Sequence, residues 1–171
     1  MRILVTGAAG SGTSTLGRLL ATRLGAVFQE ADDIYWLDTT PPFQKKRSEE
    51  KRREMMSETI RDANFLVVAG SVMSWGEDIE DAFDAIVFLT APARTRLERI
   101  KHRDIQQFGA VDPAFLEWAA QYDDGGMEGR SLARHNAWLA ERSCPVLAIE
   151  SIQEPDMLAQ QVCDSLGLAQ G

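Results

Sequence analysis

The chain has 171 residues, 44% of them apolar and 26% charged, which suits a single domain with a sizeable core; no apolar run approaches the roughly 20 residues of a membrane span. A net charge of −8 argues against a nucleic-acid-binding surface, so any anionic ligand must be met by a local basic cluster. Cys144 and Cys163 are isolated in apolar contexts and read as core thiols, and the start Met1-Arg2-Ile3-Leu4 has no leader-like character, so a cytoplasmic location is expected.

Arg2–Thr6 is a short apolar run that predicts a strand, and Leu16, Leu19, Leu20 and Leu24 then recur at helical spacing over about 14–24. Between them, Gly7-Ala8-Ala9-Gly10-Ser11-Gly12-Thr13-Ser14 fits the phosphate-binding pattern GxxxxGK[ST] except that Thr13 stands at the lysine. A strand feeding a glycine loop that opens a helix gathers backbone N–H groups and a helix N-terminus around one point, an anion site of phosphate-chain size. Nucleotide contacts are expected from Gly7 through Ala8, Ala9, Gly10, Ser11, Gly12, Thr13 and Ser14 to Thr15, with the Ser14 hydroxyl offered to Mg²⁺.

Ala26–Gln29 predicts a second strand, expected beside the first, and Glu30, Asp32 and Asp33 cluster just beyond it. An acid here can hold Mg²⁺ or take the proton of an attacking hydroxyl; the competing reading is an acidic first turn of a short helix. Asp32 is expected to be catalytic and metal-binding, and Asp33 and Tyr35 to face the acceptor, with Glu30 a weaker candidate. A helical stretch at about 47–63 follows, carrying the basic group Lys45-Lys46-Arg47, of which Lys46 and Arg47 are assigned to the acceptor side. Phe65–Ala69 predicts the third strand. The small residues Gly70 and Ser71 after it admit a ligand to the backbone, and Trp75 can stack on a ring; packing is the alternative for each aromatic, Trp36 included.

Ala85–Leu89 and Val146–Ile149 predict the last two strands, with helices at about 92–103, 112–122, 130–141 and 155–166 and a break at Gly125-Gly126. Alternating strands and helices imply a mainly parallel sheet covered on both faces. Arg96, Arg99 and Arg103 share one helix face, and Arg130 and Arg134 lie one turn apart. Arg99, Arg103, Arg130 and Arg134 can fork around phosphates, against a competing account of surface pairs with Glu98, Asp104 and Glu128; Arg94 and Arg96 read as surface. His102 and His135 have no third ligand or nucleophile in sequence reach and support neither a metal site nor a triad.

Together these residues resemble the P-loop small-molecule kinases, the adenylate kinase-like and shikimate kinase-like group. They are more closely similar to an uncharacterised bacterial set labelled AAA-family ATPase or adenylate kinase. The closer likeness rests on Gly-Ser-Gly-Thr-Ser-Thr-Leu-Gly at 10–17, Asp-Asp-Ile-Tyr-Trp at 32–36 and Pro-Pro-Phe-Gln-Lys-Lys-Arg at 41–47. It extends to Gly-Ser-Val-Met-Ser-Trp-Gly at 70–76 and Glu-Gly-Arg-Ser-Leu-Ala-Arg-His at 128–135. The resemblance implies one three-layer P-loop domain over 1–171, a five-stranded parallel sheet with a substrate-binding segment at about 31–63 and a lid at about 103–130. It also implies ATP, Mg²⁺ and a small-molecule phosphate acceptor, and makes Glu30-Ala31-Asp32 the counterpart of an Asp-x-Asp segment serving metal and acceptor. No Asp-Gly-Phe-Pro-Arg follows the third strand, which argues against AMP as acceptor.

Thr13 leaves two accounts open. The missing ammonium normally neutralises charge moving between the β- and γ-phosphates, and losing such a contact costs on the order of 2–4 kcal/mol, about 10²–10³ in rate. Either Lys45, Lys46, Arg47 or a lid arginine supplies the charge and the chain is a kinase, or it binds nucleotide as a sensor without efficient transfer. Plain ATP hydrolysis ranks lowest, for want of a water-positioning Gln or Glu.

Overall fold

Five strands, β1 (Arg2–Gly7), β2 (Val27–Glu30), β3 (Leu66–Ala69), β4 (Ala85–Thr90) and β5 (Val146–Glu150), form one all-parallel sheet in the order β2-β3-β1-β4-β5. The structure is a computed structural model that describes residues 1–125 and 129–168; Gly126 and Glu128, invoked above at the break and as an arginine partner, lie outside the described residues. Each predicted strand end is met to within one residue. One expectation fails: β2 is not beside β1 but at the sheet edge, because β3 pairs with both.

Strand side chains alternate between two cores, as the period of two in a strand requires. Ile3, Val5, Val67, Val87 and Leu89 face α1 (Thr13–Leu24) and α8 (Pro155–Leu166), meeting Leu16, Leu20, Leu158 and Val162. Leu4, Leu66, Val68, Ile86 and Phe88 face the other way, onto residues from α2 (Ala31–Tyr35), α3 (Glu49–Asp62), α4 (Glu77–Glu80) and α7 (Leu132–Ala140). Two further helices, α5 (Ala93–Phe108) and α6 (Pro113–Ala120), pack on each other. Side-chain caps fix three helix starts: Ser48 for α3, Asp112 with Pro113 for α6, and Ser131 for α7. Among the described residues no helix is long and apolar enough to cross a membrane.

The chain corrects the sequence reading in two further places. Lys45-Lys46-Arg47 is not helical: Leu37 N–H donates to Lys45 O (2.8 Å), Arg47 N–H donates to Tyr35 O (2.9 Å), and Trp36 bridges Lys46, so the segment doubles back as a small hairpin before α3. Pro41-Pro42 favours such a turn over a continuing helix. Arg96 is not on the surface. It is 1% exposed, because the face of α5 it shares with Ile100 is turned inward, while Arg94 stays exposed and pairs with Glu98.

Candidate functional site

The loop between β1 and α1 leaves the middle of the sheet at its carboxyl end, where β3 and β4 diverge in sequence to either side of β1; ligands bind at such a switch point. Its turn is closed by Ser11 N–H donating to Ala8 O (3.1 Å), and α1 is entered by Leu16 N–H donating to Gly12 O (3.0 Å). Among the described residues, the N–H groups of Gly12, Thr13, Ser14 and Thr15 have no partner within the protein. Four free donors at a helix N-terminus are chemically suited to an anion. Gly10 is obligatory for its shape: φ is +79°, and a Cβ there would lie 2.4 Å from Arg96 O.

The Ser14 hydroxyl donates to Glu30 Oε1 (2.9 Å), and Arg18 approaches the other oxygen of Glu30 (3.7 Å). This contact forms although β2 is an edge strand, because α1 crosses over β1, β3 and β2 and carries Ser14 toward the end of β2. Burial raises the Glu30 carboxyl above its ordinary range against the lowering effect of the Ser14 bond, with Asp32 adding to the rise and Arg18 opposing it. Asp32, in the first turn of α2, is exposed as a residue, but the protein packed beside its carboxyl raises its pKa, while Arg130 and then Arg103 pull it back down. Two arginines far apart in the chain therefore act on one carboxylate.

The remaining arginines are differently placed. Arg99 lies behind the loop: Nη2 donates to Ser151 O (2.7 Å), and Nη1 donates to Ser151 Oγ (3.1 Å) and reaches Gly10 O (3.5 Å). Arg134 Nη1 donates to Gly129 O (2.7 Å) and so holds the loop that precedes α7. Arg103 is gripped by Asp104 through Nε (2.9 Å) and Nη2 (2.7 Å), and Arg130 sits 5.6 Å from the Trp118 ring centre. Arg96 ties α5 to the end of α6, donating to Asp123 Oδ2 (2.6 Å), Ala119 O (3.2 Å) and Ala91 O (3.1 Å).

Among the residues assigned to an acceptor from the sequence, Tyr35 and Trp75 stack at 6.3 Å with Arg52 over both rings, 4.5 Å and 5.8 Å from their centres. Arg52 and Trp75 line a cleft of about 740 Å³ with Arg53, Ser57, Ser74 and Asp78. Lys46 lies 5.7 Å from the Tyr35 ring centre, and Arg47 is occupied by the Met55 sulfur and Trp36 O. Gly70 has a packing reason of its own: φ is +116°, and a Cβ would meet that of Ala31 at 2.9 Å. Ser71 Oγ accepts from Met73 N–H (3.4 Å) within the turn, and Asp33 is exposed on the far side of α2 from the buried Ala31 and Ile34.

Sequence reasoning set Glu30 low and missed Arg52 and Ser151. The signal for Glu30 was its position as the last residue of a strand. Nothing local marks Ser151, which meets the loop across 140 residues of chain. His135 is a core histidine: it is fully buried, shares a 2.6 Å hydrogen bond between Nδ1 and the Tyr122 hydroxyl, and has its pKa lowered to about 4, by burial first and Arg130 second. His102 is exposed beside Gln106.

The model of the family described as AAA domain matches residues 3–109. A relative from Bacillus subtilis (strain 168), named Uncharacterized protein YqaC, is 39% identical over 174 residues, covering 96% of each chain. Among solved structures, the shikimate kinase from Acinetobacter baumannii in complex with shikimate superposes with a TM-score of 0.65 at 18% identity, over 96% of this chain and 92% of that one. The shikimate kinase from Bacteroides thetaiotaomicron gives 0.64 at 17%, over 98% and 99%, and a gluconokinase from Sinorhizobium meliloti 1021 gives 0.58 at 18%, over 97% and 91%. At these identities the likeness to solved structures is one of fold.

Proposed function

The chain belongs to the AAA domain family and has the five-stranded fold of the P-loop small-molecule kinases; from that premise we propose that it transfers the γ-phosphoryl group of Mg·ATP to a hydroxyl of a small molecule. The observation that carries the proposal is the pair of acids at the loop mouth. Glu30 is tied to Ser14, and Asp32, two residues on, is an exposed residue whose carboxyl feels the charges of Arg130 and Arg103.

In this reading the free N–H groups from Gly12 to Thr15 hold the phosphates, with the loop from Gly7 shaping the cradle. Ser14 and Glu30 would hold Mg²⁺, and their all-oxygen donor set with one carboxylate fits an ion that keeps several waters and phosphate oxygens. Bound there, the ion would neutralise phosphate charge. The metal role first given to Asp32 thus passes to Glu30, which leaves Asp32 to accept the proton of the acceptor hydroxyl. Its raised pKa makes it a stronger base than an ordinary aspartate. Arg103 and Arg130, the two arginines whose charge reaches Asp32, supply the charge that Thr13 cannot. The segment 31–63 is the acceptor clamp, with Tyr35, Trp75 and Arg52 as its wall, and the segment 103–130 is the lid.

A second reading rests on Thr13 itself: without a lysine in the loop, the protein binds nucleotide as a sensor. Incubation with Mg·ATP and a panel of nucleosides, nucleotides and hydroxylated metabolites separates the two. Acceptor-dependent ADP supports the kinase, and tight ATP binding without turnover on any acceptor supports the sensor. Thr13→Lys should tighten ATP binding in a sensor. In a kinase it should lower turnover by crowding the arginine that serves in place of lysine.

A further inference from the structure

A phosphate cradle works only if its peptide planes face the right way, since a plane turned over presents a carbonyl oxygen to the anion in place of an N–H. One such plane lies between Ser11 and Gly12. Gly12 has φ of +93°, and a Cβ built on it would meet nothing within 4 Å, so nothing packs there to hold the plane from the Gly12 side. Its orientation is nevertheless fixed from behind. Ser151, the residue after β5, is 2% exposed, and its hydroxyl donates to Ser11 O at 2.6 Å. In a trans peptide the N–H points opposite to the C=O, so fixing the Ser11 carbonyl toward Ser151 fixes the Gly12 N–H in the direction away from Ser151.

The hydroxyl has one proton, and Arg99 decides where it goes. Arg99 Nη1 donates to Ser151 Oγ (3.1 Å) and Nη2 to Ser151 O (2.7 Å), and a guanidinium can only donate. The serine proton is therefore left for Ser11 O. Ser151 N–H donates to Thr90 O (2.7 Å), which anchors the residue to the end of β4. The brace thus joins the ends of β4 and β5, α5 and the phosphate loop.

We propose that Ser151, oriented by Arg99, is a positioning residue for phosphate binding, setting the Ser11–Gly12 peptide with its N–H toward the nucleotide. The proposal rests on reading the loop as a phosphate cradle. It separates a positioning role from general support of the fold by making the effect depend on phosphate: Ser151→Ala should lose affinity for Mg·ATP but not for adenosine.

The test is a calorimetric or NMR titration of the intact chain with Mg·ATP and with adenosine, together with thermal unfolding in the absence of ligand. Loss of one directing hydrogen bond should weaken Mg·ATP by about tenfold in Ser151→Ala, with adenosine unchanged. Arg99→Lys, which keeps the charge but not the two-pronged contact, should show the same selective loss, and the double variant should lose little more than either alone. Should Ser151→Ala not fold, Ser151→Cys, of similar shape with a weaker donor, should give a smaller selective loss. Unchanged Mg·ATP affinity, or equal losses for Mg·ATP and adenosine, would overturn the brace. An unmutated protein that binds Mg·ATP no better than adenosine would overturn the cradle itself, a failure visible before any variant is made.

Discussion

Helix α5 carries two kinds of arginine on one face. Arg96 and Arg99, in its first half, are spent on the protein: one ties α5 to the end of α6, and the other braces the phosphate loop. Arg103, one turn beyond, acts on Asp32, as does Arg130, farther along the chain. Identical side chains at i, i+3 and i+7 have thus come to serve architecture and electrostatics within about 10 Å of helix, at 1.5 Å per residue. The difference lies in what surrounds each guanidinium. Arg96 has three protein acceptors and almost no exposure, whereas Arg103 is half exposed and keeps donors for a ligand.

The largest effects should come from the electrostatic pair. Arg130→Ala and Arg103→Ala are each expected to lower acceptor-dependent turnover by about 10²–10³, the cost of a charged contact to the transferring group; Arg103→Ala also strands the buried Asp104 and should lower the thermal midpoint, whereas Arg130→Ala should leave it near that of the parent. A comparable loss of stability in Arg130→Ala would erase the distinction between the two kinds. Arg96→Met should behave in the opposite way. It strands Asp123 and the carbonyls of Ala91 and Ala119, and should destabilise the chain by about 3 kcal/mol in urea unfolding.

Arg130 reaches the buried His135 too, and this gives a pH test. Its folded pKa, about 4 against an ordinary 6.5, means that the unfolded chain binds the extra proton between those values. The contribution is complete above pH 6.5 and is lost as the pH falls toward 4, by about 2–3 kcal/mol. Glu30 and Asp32, with raised pKa values, act in the opposite direction at the acid end, so the comparison is made between variants. His135→Gln should show a flatter decline than the parent between pH 6.5 and 4. An identical slope would show that the histidine is not buried neutral. The smallest effect is expected at Arg94, exposed and paired only with Glu98: Arg94→Ala should match the parent in turnover and unfolding.

Much of this was legible in the sequence because it is periodic or local. The strand runs, the leucines of α1 and the glycine loop mark themselves within a few residues, and the fold follows from their alternation. The division among the arginines was not legible. Helical spacing puts Arg96, Arg99 and Arg103 on one face but does not say which part of it is covered by residues 119–123, and burial of Arg96 depends on that cover. Sheet order was hidden for a similar reason, since β3 enters between β1 and β2 only when the crossovers are laid down. Glu30 was underrated because its partner, Ser14, is brought to it by the path of α1 over the sheet.

The central claim is that Asp32 takes the acceptor's proton at a nucleotide held by the loop, and it is tested most directly by Asp32→Asn. The isosteric change removes the base while leaving the cradle, Ser14 and Glu30 in place. Mg·ATP affinity, measured by titration, should stay within a few-fold of the parent, while acceptor-dependent ADP formation should fall by about 10³. Turnover equal to that of the parent would contradict the assignment of Asp32. Tight Mg·ATP binding by the parent with no ADP on any acceptor would contradict the kinase reading and leave the sensor.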